Sequence, residues 1–417
     1  MPRPLPGLIL ALALLLAPTA CSNPGDTADD GDGGDGGDGG EPVVITDAGT
    51  HYQVVLDYSS GLTPREMGAA YGAAIAEACP DFESLMDGYI TYLVGEYEYQ
   101  EGLRRVGELK PNLPADIREE IEGLGESLST TDDIYGDGKL SPNEVYALNL
   151  LSDIIRTCQC SGLGVYGGAS ADGDPRVARL LDWDGGGFLA RLHAVVTIKN
   201  GSQSVCLIGY LGHQGAITAL NDDGVFAGVL DSPTGEPYAV EGRRSYVLDL
   251  RYALETCTDL EAVAAYLAED SRDYCYNHNV LLADGDGVAV LENNFSGAGA
   301  AMQRALRYDD SRLNPGVTWD HDDAVAVVNS FVRDGNHDNH TGHYWNTSRW
   351  EYFSDELDAR GALDRQALKT IALGYVYSPS SCQHITVFEP ADGGLEVNFK
   401  PAGGGAGVFE TVEIPFD

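Results

Sequence analysis

The chain reads as an α+β protein, a layered sandwich of paired strands covered by helices. Three observations predict this. Apolar residues recur at helical spacing from about Pro64 to Leu151. From Cys160 onward the texture changes to short strand-like runs separated by turn residues, and helical stretches return between them. Strand pairs stacked on one another need helices on their outer faces, which gives the layered arrangement.

Residues 1–20 have the form of an export signal. Arg3 is the positive end, Leu8 to Leu16 an apolar stretch too short to span a bilayer, and Pro18-Thr19-Ala20 a small-residue approach to Cys21. That ending resembles a bacterial lipobox, which implies lipidation of Cys21 and a lipid-anchored place in the cell envelope. Residues 21–42 are rich in Gly and Asp, with almost nothing apolar to bury, and are expected to be a flexible, self-repelling tether.

Residues 43–159 are expected to be mostly helical. Thr63-Pro64-Arg65-Glu66 opens one helix with a capping residue and a first-turn proline, and Met67, Ala70, Tyr71 and Ala74 follow on one face. Pro80 interrupts, and a second helix runs through Leu85, Tyr89 and Leu93; a third spans Asn112 to Leu128. Residues 133–144 match the layout of an EF-hand loop, with Asp133, Asp137, Gly138 and Glu144 at ligand and turn positions and Tyr135 where an oxygen ligand is usual. Ser141-Pro142-Asn143-Glu144 is equally a capping box. A structural calcium held by Asp133, Asp137 and Glu144 is one expectation and a capped helix another, and both can hold, because an EF-hand exit helix starts there.

In the second half, strands are expected at Ala194–Ile198, Val205–Leu211, Val225–Leu230, Val280–Ala283, Val288–Glu292 and His384–Phe388, with Asp284-Gly285-Asp286-Gly287 as a hairpin turn. Helices are expected at Ser245–Leu254, Leu260–Ala268 and Leu363–Ala372. His337, His340 and His343 lie in an Asn- and Gly-rich stretch that reads as a solvated loop, in a position to cover a site.

The formal charge of −40 excludes nucleic acid and anionic membrane surfaces as partners, since both demand basic patches. Membrane contact would come only through the N-terminal lipid. Among eight cysteines, Cys21 reads as lipidated and Cys160 as reactive. The even remainder suggests disulfides in an exported protein, with Cys257 and Cys275 the nearest pair. No Cys-x-x-Cys pair is present, which argues against structural zinc.

Cys160 follows a helix-like segment and precedes Ser161-Gly162 at the start of a strand-like run. A thiol is a strong nucleophile only as thiolate. Cleavage of the Gln159–Cys160 bond would give this cysteine a free α-amine, a base of near-neutral pKa on the same residue. Arg179-Leu180-Leu181-Asp182-Trp183 supplies charged groups at a strand end.

From about Leu62 onward the chain resembles the self-processing N-terminal nucleophile (Ntn) hydrolases of the penicillin acyltransferase kind, and more distantly the bile-salt and penicillin V hydrolases. The resemblance rests on Gly61 to Gly72, Asn149 to Ser161, Arg179 to Trp183, Leu220-Asn221 to Gly224, Asn277-His278-Asn279 with Glu292, and Asn329 with Ser348-Arg349. Leu180 stands where that family has Asn, and no His follows Asn329.

It implies a four-layer αββα sandwich, with residues 43–159 as pro-region and 160–417 as catalytic chain. Cys160 would be nucleophile and base, Asp182 the holder of the amine, and Arg179 a group steadying the nucleophile or substrate. Asn279 would be the oxyanion-hole residue and Asn221 a further donor. The implied activity is cleavage or transfer of an acyl group at a linear amide in a small-molecule substrate, with no cofactor in the chemistry. A lipid amidase or phospholipase-like relative is the alternative within the fold. A calcium-stabilised, non-catalytic surface lipoprotein with structural Cys158 and Cys160 is the alternative outside it.

Overall fold

The computed structural model describes residues 41–129, 131–155, 160–201, 203–232, 238–294, 303–336 and 344–416. The proposed signal, most of the tether, Cys21, Cys158, Gln159 and His337, His340 and His343 lie outside them. No helix among the described residues is long and apolar enough to cross a membrane.

The first half holds strands β1 (Val43–Asp47) and β2 (Tyr52–Asp57), then helices α1 (Pro64–Ala78), α2 (Phe82–Leu93), α3 (Glu96–Leu109), α4 (Ala115–Glu126), α5 (Pro142–Asn149) and α6 (Leu151–Ile154). The second begins with β3 (Ser161–Val165), β4 (Arg176–Asp182), β5 (His193–Lys199), β6 (Val205–Tyr210), β7 (Thr218–Asn221) and β8 (Phe226–Asp231). Helices α7 (Tyr246–Leu254) and α8 (Leu260–Leu267) lead to β9 (His278–Ala283), β10 (Val288–Asn294), β11 (Gln303–Arg307) and β12 (Ala324–Val327). The chain closes with α9 (Tyr344–Arg360), α10 (Arg365–Ala372), β13 (Cys382–Glu389), β14 (Gly394–Phe399) and β15 (Phe409–Thr411).

Among the described residues the strands form two sheets, ordered β1-β2-β5-β6-β7-β8-β9-β10-β11 and β12-β3-β4-β13-β14-β15. They stack face to face. Phe226 on β8 lies against Phe388 on β13 with ring centroids 5.9 Å apart. A Cβ added to Gly162 would come within 2.7 Å of Leu281, so glycine on β3 sets how closely the sheets approach. Leu163, Val165, Leu180, Ile385 and Val387 point the other way, into a buried cluster with Trp350, Phe353, Leu368 and Ile371 of α9 and α10. Helices α7 and α8 contact the outer face of the larger sheet. The fold is therefore the four-layer αββα sandwich expected.

The region before Cys160 is less purely helical than the sequence suggested. β1 and β2 form a hairpin whose second strand pairs in parallel with β5, Tyr52 opposite Ala194. Its partner strand lies far along the chain, so local pattern alone gave no reason to pair it. The capped starts of α1 at Thr63 and α5 at Ser141 are present as capping boxes.

α1 and α4 cross at Gly68 and Gly123, where an added Cβ would overlap the carbonyl oxygens of Glu120 and Arg65 respectively. Gly123→Ala gains about 1 kcal/mol of helix propensity but forces the helices apart at a cost of about 3 kcal/mol. A net loss of about 2 kcal/mol is expected in urea unfolding. Unchanged stability would show that the crossing is not tight.

The expected Cys257–Cys275 disulfide does not form: both are free thiols, as are Cys206 and Cys382. Cys257 stands just beyond α7 with its carbonyl accepting from Gln203 and Asn221, while Cys275 is buried beside Tyr238.

Candidate active site

Strand alternation builds the site. On β3, Leu163 and Val165 face α9 and α10, whereas Gly162 faces the other sheet, and Cys160 shares the parity of Gly162. The thiol therefore lies between the sheets, fully buried. Ser161 pairs with Leu180 on one side, so one further step sets Cys160 beside Leu181. On the other side Val327 stands opposite Gly162, and continuing that antiparallel register by two residues brings Asn329 level with Cys160.

Arg179 crosses the same gap. Its Nη2 lies 3.5 Å from Cys160 Sγ and donates to the Val229 carbonyl at 2.7 Å. Its Nε and Nη1 are buried and make no hydrogen bond. A buried guanidinium so placed would stabilise negative charge at the sulfur. His384, close by on β13, is held neutral by burial and by the Arg179 charge, and its Nε2 lies 3.0 Å from Thr218 Oγ1.

Asp182 has the opposite parity and turns toward α9. Arg349 Nη2 donates to its Oδ2 at 2.7 Å and Ser381 Oγ to its Oδ1 at 3.4 Å, while Arg349 Nη1 reaches the Cys160 carbonyl at 3.4 Å. The Cys160 thiol lies 3.9 Å from the Asp182 carbonyl oxygen. Burial pushes the Asp182 carboxyl up to about 6, against the pull of Arg349 and Arg179. Arg349 thus ties the Cys160 main chain and the Asp182 carboxylate together. The sequence offered it only as part of a weak late segment, because α9 itself went unrecognised.

The three asparagines separate. Gly162 faces Leu281, so two residues back on each strand sets Asn279 over Cys160. Its amide nitrogen, however, donates to the carbonyls of both Val328 (3.2 Å) and Ser330 (3.3 Å). With both N–H groups engaged, Asn279 has none to offer an oxyanion. Asn329 Nδ2 makes one such bond, to the Asp231 carbonyl at 2.6 Å, leaving its second N–H available beside Cys160. Asn221 is not part of the site. Its amide bonds the carbonyls of Leu254 and Cys257 and its oxygen accepts from Val225 N–H. It lines a hollow with Phe388 and Pro390. That end of β13 is roughly 25 Å of strand from the Asp182 end, at about 3.3 Å per residue. Asn221 is a turn residue, and the donor role expected of it is set aside.

Two stacked sheets, each covered by helices, with Cys160 at the head of an inner strand, define the architecture. The chain has the Ntn-hydrolase fold. No protein-family model and no curated protein sequence matches it. Solved structures similar to it include a Caenorhabditis elegans ortholog of N-acylethanolamine-hydrolyzing acid amidase, with 13% identity over 56% of this chain and 96% of that one and a TM-score of 0.42. Penicillin V acylase from Agrobacterium tumefaciens shows 12% identity, covering 58% of this chain and 83% of that one, with a TM-score of 0.36. A variant of conjugated bile acid hydrolase from Clostridium perfringens shows 12% identity, covering 61% and 92%, with a TM-score of 0.33.

A narrow apolar cleft adjoins the site through Leu181 and Trp183. Phe82, Met86 and Tyr89 of α2 and Leu148 of α5 form one wall, with Tyr210 and Ile217 opposite. Trp183 is fixed by donating its indole N–H to Tyr89 OH, which in turn donates to the Asp184 carbonyl at 3.1 Å.

The EF-hand-like loop does not fit calcium. Both Glu144 oxygens are engaged, one by Tyr99 OH at 2.6 Å and the other by Ser141 N–H at 2.7 Å. Asp133 accepts from Ser141 Oγ and Asn143, and Asp137 from its own Lys139 N–H. The loop's Gly136 and Gly138 N–H groups converge on the carboxylate of Asp87, from α2. A calcium loop gathers oxygens around a cation, whereas this one wraps amide donors around an anion. The capping-box expectation describes it; the ligand set Asp133, Asp137 and Glu144 does not. Among the described residues no His, Cys, Asp and Glu cluster could hold a metal ion.

Proposed function

We propose that this protein is a self-activating cysteine hydrolase of linear amides. The observation that carries the reading is the buried Cys160 thiol at the head of β3, 3.5 Å from the Nη2 of an Arg179 guanidinium whose Nε and Nη1 make no hydrogen bond, with Arg349 linking the Cys160 carbonyl to the Asp182 carboxylate. Activation is cleavage of Gln159–Cys160. The thiol attacks the preceding carbonyl, the acyl group shifts from nitrogen to sulfur, and water releases it, leaving an α-amine on Cys160.

In turnover that amine takes the thiol proton and the thiolate attacks the substrate carbonyl. The Asn329 N–H stabilises the oxyanion, as an uncharged donor that does not titrate. Collapse gives a thioester on Cys160 as the amine leaves with the proton, and water then releases the acid. Asp182 holds the α-ammonium, and Arg349 fixes Asp182. An amine in place of water would make the reaction a transfer. The apolar lining of the adjoining cleft favours an uncharged, apolar acyl group, which brings lipid amides within the same reading. Export through residues 1–20 and anchoring by a lipid on Cys21 complete the proposal.

Cys160→Ala should leave a single chain without amide turnover, while the native protein shows a new N-terminus at Cys160 by mass spectrometry. An uncleaved Cys160→Ala protein with full activity would falsify the proposal.

A further inference from the structure

Asn279 on β9 and Glu292 on β10 stand directly opposite one another, both fully buried. Both side chains grip the same stretch, Val328–Arg333, which leaves β12. Asn279 takes the carbonyls of Val328 and Ser330, on either side of Asn329. Glu292 takes the main-chain N–H groups just beyond: Oε1 accepts from Val332 at 3.0 Å, and Arg333 lies 3.1 and 3.2 Å from the two oxygens. Arg307 Nε donates to Oε1 at 3.0 Å and Asn336 Nδ2 to Oε2 at 2.8 Å. The same arginine holds the end of β12 through the Ala326 carbonyl at 2.7 Å.

Apolar packing alone could hold a strand end. Here a buried ion pair and buried amides are spent on a few residues of irregular chain, where any unmade bond is expensive. What the stretch carries is Asn329, whose carbonyl is further tied to Asn346 of α9 at 2.9 Å. We propose that Asn279 and Glu292 are positioning residues, clamping the main chain on both sides of Asn329 so that its amide stands beside Cys160, and that neither touches the substrate. The proposal rests on the reading in which Asn329 supplies the oxyanion donor.

Two reagents separate the clamp from general loosening. An alkyl β-lactone acylates Cys160 through an oxyanion: thiolate attacks the carbonyl, the ring C–O bond breaks and the released alkoxide takes a proton. Iodoacetamide alkylates the same thiol by displacing iodide, with no oxyanion. Both rates are read by intact mass on the cleaved protein.

Asn279→Ala should slow acylation by about tenfold to a hundredfold, the range expected for a misplaced catalytic group. Alkylation should be unchanged, and an Asn329→Ala background should show no further loss, since the two substitutions disable one device. Equal loss in both backgrounds, parallel loss with both reagents, or no loss overturns the clamp. Asn336→Ala, which removes one Glu292 donor from outside the site, runs the same cycle should Asn279→Ala not fold. The underlying reading fails separately: no adduct on native Cys160, or native acylation by Asn329→Ala, removes the oxyanion role itself.

Discussion

Arg349→Leu is expected to raise the acid limb of the pH–rate profile by roughly one to two units, the size of shift an adjacent guanidinium imposes on a carboxylate. In the native protein burial drives Asp182 up to about 6 and Arg349 opposes that rise. Removing Arg349 leaves the desolvation uncompensated, so the carboxyl titrates higher still. In the proposed mechanism the ionised form holds the α-ammonium, so the rate should climb with pH through the Asp182 pKa and be lost below it. The variant should be severely impaired near pH 6 and partly recover in alkali. Asp182→Asn should flatten this limb and lower kcat by about ten-thousandfold, as expected for loss of an orienting carboxylate.

Stability moves the opposite way. The folded-state value exceeds the ordinary one, so the contribution is complete below pH 3.8 and is lost as pH rises through about 6. Ionising this buried group costs about 3 kcal/mol, and Asp182→Asn should remove that slope. An Arg349→Leu profile superimposable on the native one would dissociate Arg349 from Asp182.

The placement of Cys160 was legible because its signals are local. Ser161-Gly162-Leu163-Gly164-Val165 alternates small and aliphatic residues, so the inward face of β3 and the parity of Cys160 can be read directly. Arg179 and Asp182 close the neighbouring strand and take opposite faces for the same reason. What failed depended on distant partners. Asn279 drew attention because strand interiors disfavour asparagine, yet that cost is met by two main-chain carbonyls from beyond β12. Asn329 follows a short strand whose register with β3 no local pattern reveals. The calcium-like spacing at residues 133–144 was real, but Asp87 on another helix already occupies its amide donors. β1 and β2 went unread because an isolated hairpin is marginal, and its support is a parallel neighbour far along the chain.

Cleavage at Cys160 would convert several internal contacts into contacts between two chains, and Glu120→Gln should expose the difference. Glu120 on α4 and Arg251 on α7 form a buried pair, each side chain 2% exposed, with N···O at 2.5 Å. Gln214 Oε1 accepts from Arg251 at 3.0 Å and Glu255 at 2.8 Å, while Tyr58 donates to Glu120. Tyr58 and Glu120 lie before the proposed cut; Arg251, Gln214 and Glu255 lie after it. A disulfide from Cys79 or Cys158 to Cys206, Cys257, Cys275 or Cys382 does not hold the pieces, since those four thiols are free. In the proposed cleaved form, packing, the pairing of β2 with β5 and this buried network would therefore hold the first chain to the second.

Breaking a buried pair leaves the surviving charge uncompensated, at a cost of about 4 kcal/mol. In an uncleaved Cys160→Ala background, Glu120→Gln should lower the urea midpoint by an amount independent of protein concentration. In the cleaved protein unfolding includes dissociation, so the midpoint should fall and become concentration-dependent, by mass action. Replacing Glu120 and Arg251 together by methionine should restore much of the loss, because two matched apolar side chains leave no stranded charge. Native stability in Glu120→Gln would mean that the network contributes nothing to holding the pieces together.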